Sequence, residues 1–370
     1  MVRFRPALGA IPAYVPGRSA EVVAAEHGID DVVKLASNEA PFGPLPAARA
    51  AILDAVAGVN RYPDDSSALL TARLASHLGV DVAQVLLGAG SVDLCRVAFA
   101  ATVDPGTGVV FAWPSFEMYP ILAQQADATV VRVPLADHRH DLDAIARAVD
   151  DTTVLVFVCN PNNPTSTAVD RHELDTLLRR VPTDALVVLD EAYREFVTDP
   201  RSPDGVDMLA RYENVVVLRT FSKAYGLAAL RVGYAVGTPE VIAQLRKVAM
   251  PFRINALAQA AALASLGEDA QAEMHARVAE VVAERARVAA ALVEMGVDVP
   301  ESQANFLWLD LPDEAAALGS FAERRGVVLR IFAGVGARVT IGTPAENDRF
   351  LAIVADYLAE RPMAVRRRTG

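Results

Sequence analysis

A chain of 370 residues with 52% hydrophobic and 22% charged residues holds enough apolar material for more than one core and has none of the character of a disordered polymer. Its net charge of −11 repels phosphate backbones and anionic lipid, which argues against nucleic-acid and membrane partners. No apolar run is long enough to span a bilayer, and Cys95 and Cys159 lie in apolar stretches where reduced thiols pack as small hydrophobes, so a cytoplasmic location is expected.

The segment Met1–Lys34 is punctuated by proline and reads as an irregular arm lying across other elements. From about Val85 to Gly237, short β-branched runs alternate with helical stretches, the pattern of a mostly parallel sheet covered by helices. The predicted strands are Val85–Leu87, Val109–Ala112, Thr129–Val133, Val154–Cys159, Leu186–Asp190, Val215–Leu218 and Val232–Val236. After Pro251 the chain turns to Ala-rich helices, Asn255–Leu266 and Ala270–Met295, the second read as a connector between domains. A smaller α/β unit follows, with strands Phe306–Leu309, Val327–Leu329 and Val339–Ile341 and a last helix from about Pro344. The fold class is therefore α/β, with a large domain over 36–250 and a smaller one built from 251–370 together with the arm 1–35. The terminal Arg366-Arg367-Arg368 reads as a solvated end.

Ligands of open α/β sheets gather beyond the carboxyl ends of the strands, and that is where this sequence places its polar segments. Gly88-Ala89-Gly90-Ser91-Val92-Asp93 follows the first strand and opens a helical stretch, so its N–H groups suit a monophosphate. A dinucleotide fingerprint is a poor fit, because Asp93 stands where the third glycine belongs. Trp113-Pro114-Ser115-Phe116 offers Phe116 either as a stacking surface for a flat ring or as core. Asn160-Pro161-Asn162-Asn163-Pro164-Thr165 is a loop fixed by two prolines, whose Asn163 amide can donate to a ligand oxygen.

At the next strand end, Asp190 can keep a pyridine nitrogen protonated, and Tyr193 can donate to a phenolic oxygen. A solvated Asp-Glu loop pair is the plainer reading; a metal-binding one lacks the phosphate loop it would need. Thr220-Phe221-Ser222-Lys223 follows another strand, with Arg231 eight residues beyond Lys223. A lysine so placed can form a Schiff base while Thr220, Ser222 and Arg231 hold a phosphate. A lone Ser-Lys is more often a surface turn. The histidines, His138 and His140 among them, have no convincing metal partners in the sequence.

Taken together and in this order, these segments resemble the fold-type-I pyridoxal phosphate enzymes, specifically the histidinol-phosphate and aromatic aminotransferases. The resemblance covers nearly the whole chain, from Lys34-Leu35-Ala36-Ser37-Asn38-Glu39 through Arg61-Tyr62-Pro63 and Ser302-Gln303-Ala304-Asn305-Phe306 to Arg338-Val339-Thr340-Ile341-Gly342-Thr343. It implies pyridoxal 5′-phosphate carried on Lys223, with Asp190 at the ring nitrogen and Tyr193 and Asn163 at the phenolic oxygen. Phe116 would stack on the ring; Gly90, Ser91, Val92, Thr220, Ser222 and Arg231 would surround the phosphate. Arg338 would receive the substrate's anionic group, with Arg330 as a second cation. Tyr62 would reach the cofactor of a partner subunit, implying a homodimer. Three positions depart from the family pattern: Ser166 and Ala229 replace common glycines, and Val92 a common aspartate.

The activity this implies is transfer of an amino group from phenylalanine or tyrosine to 2-oxoglutarate by a ping-pong mechanism. Histidinol phosphate as donor, and less strongly a decarboxylase, stay open.

Overall fold

A computed structural model describes residues 2, 4, 5, 9, 11 and 18–360. The tail arginines and most of the first seventeen residues lie outside the described residues. The strands are β1 (Val33–Lys34), β2 (Val85–Gly88), β3 (Gly108–Trp113), β4 (Thr129–Pro134), β5 (Thr153–Cys159), β6 (Leu186–Asp190), β7 (Val215–Thr220), β8 (Gly233–Gly237), β9 (Phe306–Leu309), β10 (Val327–Val328), β11 (Arg330–Phe332) and β12 (Gly336–Thr340).

Seven of them form one sheet in the order β2-β8-β7-β6-β5-β3-β4. Six run in one direction; β8 alone is reversed, antiparallel to both β2 and β7. The central strands are Val-rich because both faces are covered. Val156, Val158, Val187, Leu189, Val215 and Val217 join one core, while Leu155, Phe157, Leu186, Val188, Val216 and Leu218 join the other. This two-residue alternation follows from the pleat, which sends successive side chains to opposite faces. With both faces covered by helices, polar chemistry is confined to the strand ends.

The expected strands of this sheet are present with ends shifted by one or two residues. The smaller sheet, β11-β12-β9, is antiparallel and differs from expectation in two ways. Val327–Leu329 is not one strand: Val327–Val328 pairs with β1, and the chain then turns into β11, which pairs with β12. Ile341 lies past the end of β12, where its N–H bonds the Asn305 carbonyl at 3.0 Å. The arm is not wholly irregular either. Ser19 accepts from the Val22 N–H at 3.3 Å, Gly28 closes the turn in the left-handed region, and a helix forms over Ala20–His27.

The Ala-rich region gives Ala256–Ser265, capped by Asn255, and the 27-residue helix Glu268–Glu294, which packs against both β9 and the final helix Pro344–Glu360. Two helices before β2, Pro46–Ala55 and Ala68–Leu78, had no counterpart among the predicted elements; the first packs against Ala256–Ser265. Among the described residues no helix is long and apolar enough to cross a membrane.

Candidate active site

The parallel register brings three strand ends together, with Cys159 beside Asp190 and Asp190 beside Leu218, so that β7 carries on past its neighbour to Thr220. Asp190 is buried at the end of β6. Its Oδ2 accepts a 2.7 Å bond from the Tyr119 hydroxyl, while its Oδ1 is buried without a hydrogen-bond partner among the described residues. Burial raises the carboxyl to about 6, opposed by the Tyr119 bond. Tyr119 is itself fixed by stacking on Phe157 at 4.4 Å and by the edge of Phe116 at 5.5 Å.

Lys223 stands just past β7 and donates to the Ser37 carbonyl at 3.2 Å. Its ammonium is lowered to about 7, chiefly by burial and next by the charge of Arg338. On one side of it lies a polar nest. The Thr220 hydroxyl donates to Ser222 Oγ at 2.9 Å, and Arg231 approaches the same oxygen at 3.4 Å. Gly90 caps the helix Ser91–Thr102 at φ 82°, and a Cβ there would lie 2.3 Å from Arg231 Nη2, so only glycine lets the backbone and the guanidinium approach this closely.

On the other side, the Tyr193 hydroxyl accepts from Asn38 Nδ2 at 3.0 Å. Asn38 is held in turn by Thr340 of β12 and by Asn305. The smaller sheet thus reaches the tyrosine through one asparagine. Arg338, on β12, donates to Asn163 Oδ1 and, at 2.7 Å, to the Ala36 carbonyl. Arg330 forms a two-oxygen ion pair with Glu117 at 2.7 and 2.8 Å.

These groups share one cleft, open to solvent. Of the residues singled out from sequence, Ser91, Val92, Phe116, Asn163, Asp190, Tyr193, Thr220, Ser222, Lys223, Arg231, Arg330 and Arg338 line it. Gly90 sits just behind, against Arg231. Tyr62 is not brought there: it is 83% exposed and packs on Phe252 at 4.8 Å, away from this chain's own cleft.

Sequence reasoning missed Tyr119, Asn38 and Glu117 as members of the site. Asn38 belongs to the segment Lys34–Glu39, where nothing in the sequence pattern points to its side chain. Glu191, for which a solvated loop was the alternative reading, is buried, and its Oε2 accepts from Arg219 at 2.7 and 3.0 Å. Ser166 keeps the left-handed turn that glycine adopts freely, at φ 63°, and Ala229 is exposed in the turn Ala228–Leu230. His140 is buried with Nε2 on Asn162 Oδ1 at 3.0 Å, and His138 faces Asp310. Among the described residues no group of three His, Cys, Asp or Glu side chains is arranged to hold a metal ion.

The chain is 54% identical over 353 residues to the aromatic amino acid aminotransferase of Thermobifida fusca, covering 95% of this chain and 96% of that one. It is 50% identical over 359 residues to the enzyme of the same name from Streptomyces coelicolor, covering 97% and 98%. The solved structure of histidinol-phosphate aminotransferase from Sinorhizobium meliloti, in complex with pyridoxal-5′-phosphate, superposes with a TM-score of 0.89 at 27% identity over 97% of this chain and 98% of that one. The family model for aminotransferase class I and II matches residues 30–354, and with the α/β architecture above it places this chain in that family, as a fold-type-I aminotransferase.

Proposed function

We propose that this chain transfers the amino group of an aromatic amino acid to a 2-oxo acid, with pyridoxal phosphate held on Lys223. The observation that carries the reading is a lysine lowered to about 7 in the same cleft as a buried carboxylate whose Oδ1 has no partner among the described residues. An orphaned carboxylate oxygen suits a protonated ring nitrogen, since a buried acceptor left unpaired is costly. The Gly90 turn, the N–H groups of Ser91 and Val92, Thr220, Ser222 and Arg231 suit a phosphate. Tyr193 suits the phenolic oxygen, and Asn163 can donate to it through its amide nitrogen, because its carbonyl oxygen already faces Arg338. Phe116 offers a flat surface for the ring.

When bound, the cofactor supplies an electron sink for the charge that develops at substrate Cα. Lys223 anchors it and then moves a proton at that carbon, away in one half-reaction and back in the other. Both tasks need the neutral amine, which a value of about 7 makes available near neutrality. Asp190 holds its negative charge opposite the ring nitrogen. Arg338 receives the donor's carboxylate in the two-pronged manner of guanidinium groups, with Arg330 as a second cation in the cleft.

Relatives named as aromatic amino acid aminotransferases at about half identity support the donor class. The histidinol-phosphate reading has support from the solved neighbour, at 27% identity. A cytoplasmic homodimer, with Tyr62 reaching the neighbouring subunit's cofactor, completes the proposal.

The test is kcat/KM for L-phenylalanine and L-histidinol phosphate against 2-oxoglutarate. A preference for phenylalanine of about tenfold or more is expected, and the reverse preference overturns the donor assignment. Lys223→Ala should turn over neither donor. Carbon dioxide among the products would mark a decarboxylase instead.

A further inference from the structure

Glu117 is the N-cap residue of the helix Met118–Gln125, yet its side chain makes no capping bond to that helix. Its carboxylate is directed across the cleft, where both oxygens accept from Nη2 of Arg330 on β11. Both residues line the cleft, the Glu117 side chain 33% exposed and that of Arg330 14%. The pair therefore joins the helix beside Phe116 to the smaller sheet across the cleft.

We infer that Glu117 is a specificity-determining residue whose fixed negative charge beside Arg330 selects against donors carrying a phosphate. The inference rests on the aminotransferase reading above. A phosphate monoester carries between one and two negative charges at neutral pH. Any such group placed on Arg330 meets the Glu117 carboxylate at nearly the same distance, because the carboxylate is already within 2.8 Å of the guanidinium. Like charges brought together in a partly desolvated cleft repel. An aromatic side chain brings no charge there, so the same carboxylate costs it little. Its carboxylate is left to Arg338. Selectivity then comes from a repulsive element built against the competitor as well as from attraction to the preferred donor.

The experiment compares the cofactor-loaded wild type with Glu117→Gln and Glu117→Asp, measuring kcat/KM for L-histidinol phosphate and L-phenylalanine. In a ping-pong reaction this quantity for the donor does not depend on the acceptor, so the ratio compares donors alone. Glu117→Gln keeps the shape and removes the charge; the ratio should move toward histidinol phosphate by about tenfold or more, while Glu117→Asp should stay within about threefold of wild type. A ratio unmoved by Glu117→Gln, or moved equally by both substitutions, overturns the inference and leaves the donor assignment standing. A wild type that prefers histidinol phosphate overturns both. A wild type that turns over neither donor overturns the reading on which the inference rests.

Discussion

Lys223 is where elementary electrostatics becomes chemistry. Burial removes water from its ammonium, and Arg338 and Arg231 add positive charge nearby, while Glu39 opposes them. Each of the first three disfavours the charged form, so the folded value falls below that of the unfolded chain. The folded protein therefore binds fewer protons than the unfolded one between about 7 and the ordinary lysine value, and across that window this residue's contribution to stability increases as pH rises. Capture of added pyridoxal phosphate by the apo protein should accelerate as pH passes about 7 and level off above it. Arg338→Gln, which removes the second cause, should move that midpoint upward. Stopped-flow absorbance of the lysine-bound cofactor checks both, and a rate still climbing steeply toward pH 10 would exclude a lowered amine. Aspartate and lysine were legible in the sequence because Asp190 closes the apolar run Leu186–Leu189 and Lys223 comes shortly after the run Val215–Leu218. Tyr119 and Asn38 were not, since what makes them part of the site is a partner 71 or 155 residues away in the chain.

At the scale of elements, the end of β6 is braced by β7. Arg219 sits between Leu218 and Thr220 and directs its guanidinium to Glu191 and to Asp204, while Glu191 Oε1 accepts the Gly205 N–H at 2.7 Å. Both Arg219 and Glu191 are buried, and burial raises the Glu191 carboxyl against the pull of the arginine. A charge in such a place is stable only with its partner, so Arg219→Met should cost about 3–5 kcal/mol by stranding Glu191. Adding Glu191→Gln should restore a large part of the loss. Denaturant unfolding of the single and double variants measures this coupling, and additive losses would show that the two residues do not act as a pair. Because Glu191 adjoins Asp190, the bracing also fixes the strand end that carries Asp190. Periodicity announced β6 and β7 themselves, yet it gave no sign of the ion pair, since an acidic residue after a strand looks the same whether it meets solvent or a buried arginine. The short paired segments β1 and β10 escaped for a related reason: two residues are too few to show a period, and only their parallel pairing makes them strands.

At the scale of the whole molecule, the cleft accounts for every residue singled out as a ligand-binding group except Tyr62 and, by a small offset, Gly90. Tyr62 and Phe252 pack together and line a shallow apolar hollow with Val59; all three are largely exposed, Tyr62 most of all. Aromatic side chains left in water at this density mark a surface that another protein covers. The homodimer proposed above would give such a surface a self-complementary partner and would bring the Tyr62 hydroxyl toward the neighbouring site. Two substitutions separate these roles. Phe252→Asp places a charge in the apolar patch and should shift the protein from dimer to monomer in sedimentation equilibrium. Tyr62→Phe keeps the ring and removes only the hydroxyl, so it should leave the dimer intact while weakening cofactor retention by about tenfold, as expected for loss of one hydrogen bond to a charged group. A monomeric wild type would remove the shared site altogether. A dimer in which Tyr62→Phe holds the cofactor as tightly as wild type would keep the interface and deny the hydroxyl its role there.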